Sequence, residues 1–102
     1  MIIGASVKKY RPRGGEMKYP IAIELGGDDK AWGVIVPDLP GCFSAADGGF
    51  DEAIEKSKEA IKLWIEVAIQ RNEEIPTPSE LKVMLQRGEF KGMHWALVDP
   101  ES

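Results

Sequence analysis

The chain contains one cysteine and one histidine in 102 residues, and that scarcity removes whole classes of function. Thiolate or imidazole metal clusters need several such ligands converging on one ion, and a disulfide framework needs paired cysteines. Cys42 and His94 are the only residues available for a nucleophile–base dyad, and they stand 52 positions apart. A triad would also need a third group to orient the base. The plainer expectation is Cys42 as a small buried residue and His94 as a strand residue facing solvent. No apolar run approaches the roughly 18 residues of a membrane span. The opening Met1-Ile2-Ile3-Gly4-Ala5 is too short for a signal-peptide core, and it precedes its positive charges. Gly26-Gly27 and Gly48-Gly49 lack the spacing of phosphate-cradling loops and read as turns. These absences lead us to expect a cytoplasmic binding protein, not an enzyme, with no metal and no cofactor.

What is present suffices for one modest core. The length fits a single domain, and 43% hydrophobic residues with 29% charged ones speak against disorder. Charge is distributed unevenly. Residues 17–102 hold nine basic and sixteen acidic side chains, a net −7, whereas Lys8, Lys9, Arg11 and Arg13 make residues 1–16 basic. The larger part should therefore repel nucleic acid and membrane phosphates and attract basic partners. Residues 1–16 show no period of two or of 3.6, and Pro12, Gly14 and Gly15 interrupt them. They read as a flexible basic leader. Gly14-Gly15-Glu16 before Met17 is also what a purine-rich ribosome-binding site looks like when translated, which makes Met17 an alternative start.

The remaining pattern is α+β. Tyr19, Ile21, Ile23 and Leu25 alternate as a strand, and Gly26-Gly27-Asp28-Asp29 is a turn. Ala31 to Val36 is a second strand, stopped by Pro37-Asp38-Leu39-Pro40-Gly41, and Cys42 to Ala46 is a third. Ala53, Ile54, Ser57, Ala60, Ile61, Trp64, Ile65 and Ala68 then mark one face of a long helix, with Gly49 as its N-cap. Leu63, Val67 and Ile69 widen that face beyond what one sheet covers. Ile75 to Ser79 should end the helix. Ser79 should cap a short second helix over Glu80 to Gln86, closed by Gly88, before a fourth strand over 93–98. The expected order is β-β-β-α-α-β, a three-stranded antiparallel meander to which the fourth strand is added.

Asp38, Asp47 and Glu52 are candidates for a carboxylate cluster that holds Mg²⁺ for phosphodiester cleavage. Each has a sufficient local explanation, in a turn or in the first turn of a helix.

Tyr19-Pro20, Trp32-Gly33-Val34 and Pro37-Asp38-Leu39-Pro40-Gly41-Cys42-Phe43 together resemble the HicB family of antitoxins. So do Asp51-Glu52-Ala53-Ile54, Lys58-Glu59-Ala60-Ile61, Glu74-Ile75-Pro76-Thr77-Pro78-Ser79 and Trp95-Ala96-Leu97-Val98. The resemblance extends over about residues 17–98. It implies a partial ribonuclease H-like fold without the active site, and a HicA-type toxin as partner. Such a toxin is a basic ribonuclease that cleaves messenger RNA, and the antitoxin covers its RNA-binding and active surface. Two features depart from the family pattern. Relatives usually continue into a C-terminal DNA-binding domain; none is expected in this chain, and so DNA binding is not expected of it. Relatives also tend to have one residue fewer, and a Ser or Thr cap, where Gly48-Gly49 stands. The expected partner-binding residues are Asp38, Phe43, Asp47 and Trp32, an acidic and aromatic surface. The competing expectation buries Trp32 and Phe43 on the sheet face and leaves Asp38 and Asp47 as turn residues; Trp64, on the inward helix stripe, is expected in the core. Family members commonly pair, so a homodimer is expected too. Competing functions are an orphan interaction domain without a toxin, and a metal-dependent nuclease.

Overall fold

The computed structural model describes residues 18–101, so the leader expected over residues 1–16 lies outside the described residues. Alternating apolar residues form β1 (Tyr19–Glu24), β2 (Trp32–Ile35) and β3 (Phe43–Ala46). These are followed by the long helix α1 (Phe50–Gln70), the short helix α2 (Leu81–Leu85), a 3₁₀ turn (Gly88–Phe90) and β4 (His94–Val98). All pairings are antiparallel and the sheet order is β3-β2-β1-β4, so β4 joins beside β1 and completes the expected architecture.

The core lies between α1 and one face of the sheet. Tyr19, Ile21 and Ile23 of β1, Val34 of β2, Ala46 of β3 and Val98 of β4 project into it. Ala53, Ser57, Ile61, Ile65 and Ala68 of α1 meet them at three- and four-residue intervals, the repeat that keeps side chains on one helical face. The single hydroxyl on that stripe is satisfied locally, since Ser57 Oγ donates to the Ile54 carbonyl at 2.6 Å. Ala22, on the opposite sheet face, is also fully buried, and its cross-strand neighbours there are Ile35 and Trp95.

Three terminations differ from the local signals. Helix α1 ends before Ile75-Pro76, because Asn72 adopts φ 59°. There Asn72 N–H donates to Ile69 and Glu73 N–H to Ala68, the paired bonds of a Schellman motif. Ser79 does not cap α2; Glu80 holds the N-cap position without a side-chain bond, and Ser79 bonds to Asp38 instead. Gly88 does not close α2 but begins the 3₁₀ turn. Of the three, only Ser79 is drawn away by a distant residue, whereas α1 closes through bonds within its own last turns. The Gly49 cap is as expected, and its φ of 102° explains the departure from Ser or Thr, which would be strained there.

Candidate partner-binding surface

The Pro37–Gly41 segment positions the surface. Val36 N–H donates to Cys42 O at 3.1 Å, Leu39 N–H to Val36 O and Cys42 N–H to Leu39 O, which folds the segment into a tight loop. Gly41 turns the chain with φ 81°, a conformation disfavoured for other residues, and launches β3 at the outer edge of the sheet. The loop is pinned at two points. Trp64 Nε1 donates to Pro40 O at 2.9 Å, and both carboxylate oxygens of Asp38 accept from Ser79, one from its N–H at 2.7 Å and one from its hydroxyl at 2.6 Å.

Pinning the loop leaves β3 with a partner on one side only. Phe43, paired with Ile35, is 63% exposed. Beside the strand, a groove of about 610 Å³ separates it from α1, lined by Pro40, Phe43, Leu63, Trp64, Val67 and Arg71 among others. Cys42 lies at its floor, 4% exposed, and burial pushes its thiol up to about 11. A neutral, recessed thiol contributes packing and is a poor nucleophile.

The expected site residues separate into distinct settings. Phe43 is exposed, against the reading that buried it. Asp47 follows β3, exposed, about 13 Å along the strand from Phe43 at the usual rise per residue. Trp32 is half buried, packed against the core and edge-on to Phe50 with ring centroids 6.4 Å apart. Asp38 points to Ser79 and fastens the loop. Trp64 is only partly buried and walls the groove, so it is not the plain core residue its helical spacing suggested. Leu63 and Val67, noted only as a widened stripe, prove to be groove residues. Their signal was that surplus of apolar surface on an already amphipathic helix. Glu52 accepts from Gly48 N–H at 2.6 Å, and among the described residues no three His, Cys, Asp or Glu side chains gather as metal ligands. Asp47 and Glu52 line one shallow pocket beside Lys56, while Asp38 is held by Ser79, so the three carboxylates of the nuclease reading do not gather. No helix among the described residues is long and apolar enough to cross a membrane.

With the loop, the open strand and the helix in this arrangement, the family model described as HicB-like antitoxin of bacterial toxin–antitoxin system matches residues 19–101. The chain belongs to this family. Solved HicB structures share the fold of this HicB-like domain. The N-terminal domain of the Burkholderia pseudomallei antitoxin HicB is 36% identical with a TM-score of 0.68, over 80% of this chain and 95% of that one. The longer B. pseudomallei HicB structure gives 36% and 0.70, over 80% of this chain and 61% of that one. A HicA3–HicB3 toxin–antitoxin complex contains a chain 25% identical with a TM-score of 0.68, over 80% and 95%. Among curated relatives, a 14.9 kDa protein from the rep–hol intergenic region of Haemophilus phage HP1 is 40% identical over 83 residues. That match takes in 81% of this HicB-like chain but only 60% of the phage protein. A UPF0150 protein of Archaeoglobus fulgidus is 47% identical over 51 residues, half of this chain and 71% of that protein.

Proposed function

We propose that this domain binds a HicA-type, messenger-RNA-cleaving toxin and neutralises it by covering the toxin's RNA-binding and active surface. The observation that carries the reading is the open β3 edge with Phe43 exposed, on a domain whose residues 17–102 sum to −7. A toxin surface built for phosphates is basic, and an acidic domain competes for it. An unpaired strand offers backbone groups for a partner, and an exposed aromatic is the residue type that most often anchors an interface. The HicA3–HicB3 complex among the structural relatives lends the same support. In this proposal Phe43 is the anchor, Asp47 supplies charge, Trp32 supports the edge from behind, and Asp38 acts by holding the loop. The role is that of a binding protein, acting in the cytoplasm on a toxin that targets messenger RNA.

Dimerisation belongs to the same proposal. The other outer strand, β4, leaves Leu97 49% exposed, and copies joined there would keep β3 free for the toxin. The test is calorimetric titration of the chain into a catalytically inactive HicA-type toxin encoded beside its gene, in low and high salt. Binding that weakens as salt rises supports acidic masking of an RNA surface. Absence of binding in both buffers refutes the antitoxin role and leaves an orphan interaction domain. Sedimentation of the chain alone, with and without Leu97→Lys, tests the dimer.

A further inference from the structure

We infer that the groove between β3 and α1 is where the toxin inserts, and that it receives a segment carrying an apolar side chain flanked by lysine or arginine. This inference rests on the antitoxin reading and names the surface that reading uses. The groove is lined by Phe43, Leu63, Trp64 and Val67, with Pro40, Gly41 and Cys42 among its other lining residues. Leu63 stands 61% exposed on its rim, although it sits in the middle of a 21-residue helix whose opposite side is already packed on the sheet. Large apolar side chains in the middle of an acidic surface helix are costly to keep wet, and a contiguous group of them marks an interaction site.

The charges around the groove select its occupant. On a helix, Glu59 and Glu66 lie one turn before and after Leu63 on the same side, and both are exposed. Glu73 lines the groove as well, and Arg71 is the one basic side chain among the lining residues. Two copies of this surface face to face would bring these carboxylate rows together. A basic partner meets them with opposite charge, and its apolar side chain fills the groove. The volume of about 610 Å³ accommodates several side chains, and the fixed Trp64–Pro40 and Asp38–Ser79 bonds hold the walls in place beforehand.

The test compares three forms of the full chain against the catalytically inactive toxin encoded beside its gene: the wild type, Leu63→Lys and Leu85→Lys. Leu85 is as exposed as Leu63 but lies on α2, away from the groove. Both substitutions are at exposed positions, so circular dichroism should show the same folded spectrum for all three. The expected result is at least a thirty-fold loss of affinity for Leu63→Lys and less than a threefold change for Leu85→Lys. Glu59→Gln with Glu66→Gln should flatten the salt dependence. If the wild type binds and Leu63→Lys binds equally well, the groove is not the toxin site, while the antitoxin reading survives. If the wild type does not bind, the antitoxin reading falls and this inference with it. If Leu63→Lys instead converts a wild-type dimer to a monomer in sedimentation, the groove is a self-interface and the inference is overturned.

Discussion

Replacing Asp38 with alanine should destabilise the domain by about 2 kcal/mol, because this carboxylate holds two distant segments together. Its oxygens accept from Ser79 N–H at 2.7 Å and Ser79 Oγ at 2.6 Å, across 41 positions of sequence. Hydrogen bonds to a charged group contribute about 1.5–3 kcal/mol each when shielded. Here both residues are half buried, so water replaces part of the loss and the pair together should be worth about 2 kcal/mol, not twice that. For a domain of this size that corresponds to a fall in Tm of roughly 8–16 °C. Asp38→Asn keeps one acceptor for the Ser79 N–H and can donate to the Ser79 hydroxyl, so it should cost about 1 kcal/mol. Ser79→Ala removes one of the two bonds and should cost about the same. Urea denaturation of the two alanine variants and the double variant closes a thermodynamic cycle. The double variant should lose clearly less than the sum of the single losses, since each substitution removes a bond the other also removes. Additive losses, or a loss below about 0.5 kcal/mol for Asp38→Ala, would refute the tether. An Asp38→Ala variant of undiminished stability but weakened toxin binding would return Asp38 to the role of a direct contact.

Three further outcomes are expected. Phe43→Ala should change stability by less than about 0.5 kcal/mol, as an exposed surface substitution does, yet reduce toxin affinity by about 2 kcal/mol or more in calorimetry. Asn72→Gly should stabilise the domain and Asn72→Ala should destabilise it by about 1 kcal/mol, because φ 59° suits glycine, is tolerated by asparagine and opposes alanine; thermal melts decide the order. The Cys42 thiol, raised from 9.0 to about 11 by burial, stays protonated in the folded chain where the unfolded chain ionises. Its contribution is therefore fully present below pH 9 and is lost as pH rises through 11, by at most about 3 kcal/mol. Cys42→Ala should abolish that part of the alkaline decline in a pH series of urea melts, and a decline identical to wild type would refute the assignment.

Residues close in sequence determined much of this protein by themselves. The period of two in Tyr19, Ile21 and Ile23, and the spacing of Ala53, Ser57, Ile61, Ile65 and Ala68, are local consequences of strand and helix geometry. The strands and the long helix followed from them; the burial of Cys42 followed from its residue type, and the family from the motif around Pro37–Phe43. The surface was less legible. Ser79 reads as a helix cap until folding brings Asp38 within 2.7 Å of its N–H, and Trp64 reads as core until the Pro40 carbonyl stands 2.9 Å from its ring nitrogen. Phe43 faces water because its pairing with Ile35 sets it on the sheet face of Ala22, turned away from α1, and which of the two faces the helix covers is a matter of packing that no local pattern encodes. Short-range periodicity sets which face of an element is apolar. Only the tertiary structure decides which apolar faces find cover, because cover is supplied by residues far away in the chain.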